Sequence, residues 1–178
     1  MNTYFLKSER LGFRIWTEDD LPLALQLWGD EKVTQFIDAR GTLTSEQVQD
    51  RLNKEIQTFK EYGVQYWPVF LLADDLFIGC SGLRPYKPED RIFELGVHLC
   101  SGQWRQGYAT EAGLTVMNYA FKSLSAKALF AGHNPKNEAS RHLLHKIGFR
   151  YTHDEFYPPT GLMHPSYLIR RDEFLPPQ

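Results

Sequence analysis

"GQWRQGYATEA", residues 102–112, carries the reading of this chain. Gly102 and Gly107 bracket Trp104, Arg105 and Gln106 in a turn-like composition, and Tyr108, Ala109, Thr110, Glu111 and Ala112 then begin a helical pattern. A helix start leaves about four backbone N–H groups without intrahelical partners and carries roughly half a positive charge. A glycine-containing turn at that point lets the backbone approach an anion closely, so the stretch suits either a phosphate seat or a plain strand-to-helix turn. It is no Walker loop, which needs a longer glycine loop with lysine, and no dinucleotide fingerprint, which needs three glycines and a later acidic residue.

Outward from the turn, residues 108–122 place Ala109, Ala112, Val116 and Ala120 on one helical stripe. Before it, "RIFELGVHL" (91–99) reads as a strand with Phe93, Leu95, Val97 and Leu99 on one face and Glu94, Gly96 and His98 on the other. After it, "AKALFAG" (126–132) reads as a short buried strand. "NEASRHLLHKIGF" (137–149) reads as a helix capped by Asn137, ended by Gly148, with Ala139, Leu143 and Ile147 inward.

Toward the N-terminus, "RLGFRIW" (10–16) alternates like a strand and Thr17 caps "EDDLPLALQLW" (18–28). "TSEQVQDRLNKEIQTFKEYG" (44–63) has a capped start, a stripe of Val48, Leu52, Ile56 and Phe59, and Gly63 as terminator. "QYWPVFLLADDLFIGCSGLRPY" (65–86) is a hairpin broken at Ala73, Asp74 and Asp75, in which Pro68 implies an edge or irregular start. "RYTHDEFY" (150–157) and "PSYLIRR" (165–171) complete the strands. The order is strand, two helices, three strands, helix, strand, helix, two strands. It predicts one mixed α/β domain over residues 1–178, with a mostly antiparallel twisted sheet of about six to seven strands and about four helices.

The 178 residues fit one core, and 42% hydrophobic content with 14% aromatics supplies it without a staple. A formal charge of -2 gives no general pull toward nucleic acid or an anionic membrane, so any phosphate site must be built locally. Cys80 and Cys100 have no metal-ligand or redox spacing, and "MNTYFLKSER" lacks the regions of a signal peptide. No apolar run approaches a membrane span. These features predict a reduced, cytoplasmic protein with no membrane partner, no nucleic-acid partner and no metal. Edge strands and the late Pro-rich loop leave room for a homodimer contact.

"WRQGYATEA" (104–112), followed by "NPKNEASRHLLHKIGF" (134–149), resembles the two signature segments of the GNAT acetyltransferase superfamily. "KSERLGFRIWTEDD" (7–20) is similar to the opening of its ribosomal-protein N-terminal acetyltransferase branch, and the resemblance spans roughly residues 5–170. It implies a GNAT-like fold with a splayed parallel strand pair, acetyl coenzyme A as cosubstrate, and acetyl transfer to a primary amine at a protein N-terminus or on a small molecule. The pyrophosphate would sit on backbone amides of Arg105, Gln106, Gly107, Tyr108, Ala109 and Thr110. The pantetheine arm would meet the main chain of Val97, His98 and Leu99, and the side chain of Asn137. The family usually carries Arg or Gln, then Gly, where this chain has Trp104 and Arg105.

Acetyl transfer needs a neutral amine, a donor for the developing oxyanion and protonation of the departing thiolate. Roughly a tenth to a fifth of α-amino groups are neutral at pH 7, against about one lysine in 2,500, so an α-amine asks little of a base. Glu94, which shares a face with His98 across the gap at Gly96, is the first candidate base; the alternative is a carboxylate paired with Arg91 or solvent. His133 is a second candidate base or water relay, or merely closes its turn. Tyr157 and His164 could line the acceptor cleft, or pack their loop. Many GNAT members protonate the thiolate with a tyrosine that corresponds to Leu144, which cannot donate; Ser140, one turn earlier, could. That substitution keeps a non-catalytic acyl-coenzyme-A-binding module open beside the transferase, and a nucleotide-binding protein with an unrelated phosphate turn is the third alternative.

Overall fold

The computed structural model describes residues 3–176. Its strands are β1 (Leu6–Lys7), β2 (Leu11–Phe13), β3 (Tyr66–Leu71), β4 (Phe77–Lys87), β5 (Ile92–Leu99), β6 (Ala128–Gly132), β7 (Arg150–Tyr157) and β8 (Leu162–Arg170). The helices are α1 (Leu21–Trp28), α2 (Glu31–Thr34), α3 (Ser45–Tyr62), α4 (Tyr108–Lys122) and α5 (Glu138–Lys146). One eight-stranded sheet runs in the order β1-β2-β3-β4-β5-β6-β8-β7, and every pairing is antiparallel except β5 with β6.

Strand alternation divides the core in two. Trp67 and Val69 join Leu95, Leu99, Val116, Ala120, Leu144 and Ile147 on the α4–α5 face. Tyr66 and Phe70 join Trp16, Trp28, Val48 and Leu52 on the α1–α3 face. The alternation read in β5 holds, since Phe93 and Val97 pack on the first cluster while the His98 ring meets Tyr66 and Trp28 on the other side.

Helix α3 starts at a capping box in which the Thr44 hydroxyl accepts from the Gln47 N–H and the Gln47 side chain accepts from the Thr44 N–H. It ends at Gly63, whose φ of 71° suits a residue without Cβ. Its inward stripe is Val48, Leu52 and then Glu55, a carboxylate at 0% exposure, while Ile56 and Phe59 are only partly covered.

Several expectations are corrected. Strand β1 and helix α2 carry two and four residues, too few for a periodic signal. The strand expected over 10–16 contracts to Leu11–Phe13, since the Arg14 guanidinium turns to Asp20 and the Trp16 N–H turns to Gln65. Residues 18–20 form a 3₁₀ turn, and the α-helix begins at Leu21 with Pro22 in its first turn. Pro68 lies in an interior strand; it is tolerated because its β2 neighbour ends beside it, with Arg14 the last donor across. In α5 Leu143 and Ile147 face the core as expected, while Leu144 is buried beside them and Ala139 is exposed.

Candidate active site

Strands β5 and β6 pair in parallel only at Ile92, Phe93 and Glu94, against Ala128, Leu129 and Phe130. Beyond Glu94 the two strands part, so β5 from Leu95 onward has no ladder partner on that edge. The splay opens into a cleft of about 830 Å³, and every expected site residue lines it except Gln106. Gln106 points elsewhere, and its carbonyl accepts from the Arg10 guanidinium at 3.2 Å.

At one end of the cleft lies the turn before α4. Arg105 has φ 63° and Gly107 has φ 82°, both left-handed, and the first helical bond runs from the Glu111 N–H to the Gly107 carbonyl. The N–H groups of residues 105–110 therefore have no protein partner among the described residues. Such a run of unpaired donors at a helix start is a cradle for an anion. The arginine adopts the conformation that a glycine usually supplies, so the backbone path survives the substitution at a strain cost of about 1–2 kcal/mol.

Two devices hold the turn. Glu111 accepts from the Ser8 hydroxyl (2.6 Å), the Arg10 N–H (2.8 Å) and the Arg10 Nε (2.7 Å), while the Arg10 guanidinium lies 4.6 Å from the Tyr108 ring centre. Burial would raise the Glu111 carboxyl, but the bonds from Ser8 and Arg10 outweigh it and hold it below the ordinary value. On the other side, Trp104 donates its indole N–H to the Leu99 carbonyl at 2.9 Å. The Leu99 carbonyl is thus engaged by Trp104, whereas the main chain of Val97 faces the splayed edge; that of His98, expected there too, faces β4 in register with Cys80, because main-chain groups alternate sides along a strand.

Side chains build the remainder. Gly96 is not a gap for a substrate: a Cβ there would lie 2.2 Å from the Tyr66 ring, so Tyr66 fills the space between Glu94 and His98. Tyr66 lies beside Glu94 and favours its charged form, and Arg84, cross-strand from Glu94, lies over the Tyr66 ring. Burial pushes the Glu94 carboxyl above the ordinary carboxylate value, against the opposing pull of Arg84 and Tyr66. Glu94 is therefore neither paired with Arg91 nor fully solvated, and a carboxyl raised in a cleft suits proton transfer. Burial, with the charges of Arg51 and Arg84, holds His98 well below the ordinary histidine range, and its Nδ1 accepts from the Trp28 indole at 3.3 Å.

The other expected residues separate by what already occupies them. His133 uses Nδ1 on the Asn134 carbonyl (2.7 Å), which makes that nitrogen the donor and leaves Nε2 to accept from the Tyr167 hydroxyl at 3.2 Å. Both ring nitrogens are taken, and burial lowers its pKa, so His133 reaches a proton only through Tyr167. The Asn137 carbonyl oxygen caps α5 on the Ser140 N–H at 3.1 Å, leaving its two amide donors for the cleft. The Ser140 hydroxyl lines the cleft one turn before Leu144. His164 binds Thr160 at 2.6 Å and packs on Tyr157 at 4.6 Å, so the pair forms one wall from the β7–β8 hairpin.

The comparisons with known proteins agree with this architecture. A model of the acetyltransferase (GNAT) domain matches residues 10–150. The chain belongs to the GNAT acetyltransferase family. The uncharacterized N-acetyltransferase p20 of Bacillus licheniformis is 26% identical over 145 residues, 82% of either chain. The crystal structure of the GNAT-family acetyltransferase from Bacillus anthracis superposes with a TM-score of 0.81 at 25% identity, over 94% of this chain and 99% of that one. RimL, a ribosomal L7/L12 alpha-N-protein acetyltransferase solved in complex with coenzyme A, shares the fold at a TM-score of 0.78 and 14% identity, over 92% of this chain and 95% of its own.

Around this GNAT cleft, sequence reasoning missed Glu55, Tyr66, Arg84 and Arg51. Glu55 accepts from the Arg84 guanidinium and, at 2.9 Å, from the Tyr66 N–H, so it anchors the residues that set Glu94. The one available signal was a carboxylate at a position of the α3 stripe where an apolar residue also fits the spacing. Arg10 and Glu111 left no local signal, since 101 positions separate them.

Proposed function

We propose that this protein is an acetyl-coenzyme-A-dependent N-acetyltransferase that moves an acetyl group to a primary amine by direct transfer with both substrates bound. The observation that carries this reading is the continuity of the cleft, in which unpaired N–H groups of residues 105–110 and a splayed strand edge lead to a half-buried, raised carboxyl at Glu94. The chain's groups fit the cosubstrate in kind: N–H donors at a helix start for the pyrophosphate, the main chain of Val97 on the splayed edge for an amide arm, and the Asn137 amide donors beside it. Acetyl coenzyme A, when bound, supplies the activated acyl carbon.

Glu94 takes the proton of the attacking amine, either directly or through one water, and Tyr66 holds the carboxyl in place. For the departing thiolate, Leu144 is buried and has no proton to give, so the Ser140 hydroxyl or solvent serves. The acceptor is a protein N-terminus or a small-molecule amine, which enters past Tyr157 and His164.

Calorimetry with acetyl coenzyme A, followed by thiol release against N-terminal peptides, polyamines, amino acids and aminoglycosides, tests this function. Micromolar binding and release with one amine class are expected. No binding would sink the cosubstrate assignment, and binding without release from any amine would convert the protein into a non-catalytic acyl-coenzyme-A module.

A further inference from the structure

Arg51 lines the cleft from helix α3, yet none of its nitrogens has a hydrogen-bond or ion-pair partner among the described residues, and its Nε is buried. Its guanidinium lies 4.9 Å from the Trp28 ring centre, which supports a cation without neutralising it. The nearby carboxylates are committed elsewhere: Glu55 to Arg84 and the Tyr66 N–H, and Asp38 to Arg40 through both oxygens. Arginine cannot shed its proton to escape burial. A guanidinium partly withdrawn from water, with no carboxylate bonded to it, is unfavourable unless something charged arrives to meet it.

The surroundings say where that partner would sit. Arg51, the hairpin-wall residue Tyr157 and Glu94 line the same cleft, so the candidate base and the unpaired cation open onto one cavity. Arg84 is not the alternative seat, because Glu55 already holds it.

We propose that Arg51 is the docking point for a carboxylate carried by the acceptor, so that the substrate is an amine with an anionic group a few bonds away, its nitrogen presented to Glu94. This deepens the acetyltransferase reading above and rests on it. A guanidinium meets a carboxylate through two parallel N–H donations, which fixes orientation as well as affinity. The same chemistry disfavours polyamines and aminoglycosides, whose extra cations would face Arg51. Two sources fit: a free amino acid, or an acidic side chain close to a peptide N-terminus.

The test compares matched acceptors of different charge, with each rate expressed per neutral amine because amidation also lowers the amine's pKa. Free amino acids are set against their α-carboxamides, and C-terminally amidated peptides with Asp at the second position are set against the same peptides with Asn there. kcat/KM is measured by thiol release for the wild-type protein, Arg51→Met and Arg51→Lys, with coenzyme A affinity and thermal stability as controls of the fold. The wild type should prefer the carboxylate member by about tenfold or more, as a charge-assisted bidentate contact implies. Arg51→Met, which keeps a long stem over Trp28, should abolish that preference, and Arg51→Lys should restore part of it. The pair that shows the preference identifies the source.

Equal rates for acid and amide in the wild type, or an equal fall for both in Arg51→Met with coenzyme A affinity intact, would overturn the assignment. If no amine releases thiol, the acetyltransferase reading fails separately. Calorimetry of the same pairs on the coenzyme A-bound protein then decides about Arg51: a carboxylate-dependent affinity lost in Arg51→Met supports the docking point, and its absence refutes it.

Discussion

The turn at residues 105–110 and the network around Glu94 line the same cleft but are made of different material. The turn presents main-chain N–H groups, shaped by two left-handed residues and clamped from outside by Arg10 and Glu111. The network presents side chains, Glu94, Tyr66, Arg84, Glu55 and Arg51, each placed by another's charge or bulk. A backbone site depends on φ and ψ and tolerates changes of side chain, whereas a buried side-chain site has little tolerance, since each lost partner strands a polar group. The first suits a ligand common to many relatives, and the second suits one particular acceptor.

The largest effect should come from breaking the network at its anchor. Glu55→Gln leaves the Arg84 guanidinium and the Tyr66 N–H without their carboxylate, and urea unfolding should show a loss of about 3–5 kcal/mol. A loss below about 1 kcal/mol would mean that the network is as forgiving as the turn.

Next is Glu94→Gln, which should lower kcat/KM by about a hundredfold near pH 7, with partial recovery at higher pH where more amine is already neutral. An unchanged pH–rate profile removes Glu94 from the role of base. The same variant separates activity from stability. Burial raises the Glu94 carboxyl above its ordinary 4.5, so the folded state keeps a proton over a range where the unfolded chain has lost it. Stability contributed by this group therefore falls as pH rises through that range and stays lower above it. Glu94→Gln should match the wild type in Tm near pH 4 and equal or exceed it near pH 7; a Tm clearly below wild type at neutral pH would contradict the sign.

Smaller effects belong to the turn. Gly107→Ala forces a Cβ into φ 82° and should lose about 1–2 kcal/mol of stability, with coenzyme A affinity weakened in parallel by calorimetry. Arg105→Gly should do the least: strain is relieved, chain entropy offsets part of it, and stability should rise by at most about 1 kcal/mol. Coenzyme A affinity should stay within a few-fold, because the ligand is met by main chain. A tenfold loss would show that the Arg105 side chain carries the site, and the contrast with the Glu94 network would shrink.

Legibility follows the same division. Most of the fold could be read because alternation in "RIFELGVHL" and the three-to-four spacing of 108–122 are local signals, each set by one element's own geometry. The helix-start cradle could be read for the same reason. What failed was of two kinds. Strand β1 and helix α2 are too short to show a period, and in α5 the spacing picks out Leu143 and Ile147 but not the burial of Leu144 or the exposure of Ala139, which neighbouring elements set. Gly96 reads as a gap between Glu94 and His98, and only the packing shows Tyr66 filling it.

By itself the sequence determined the order of elements, the alternating faces of β5, the left-handed stop at Gly63 and the glycine turn that starts α4. These depend on residues within one or two turns of each other. Only the tertiary structure decided that β5 and β6 part after Glu94, that Arg10 clamps a turn nearly a hundred positions away, and that Glu55 is spent on Arg84 while Arg51 is left unmatched. The reason is that charge pairing and desolvation depend on distance through space, and the chain's own spacing carries no record of which distant groups folding brings within reach.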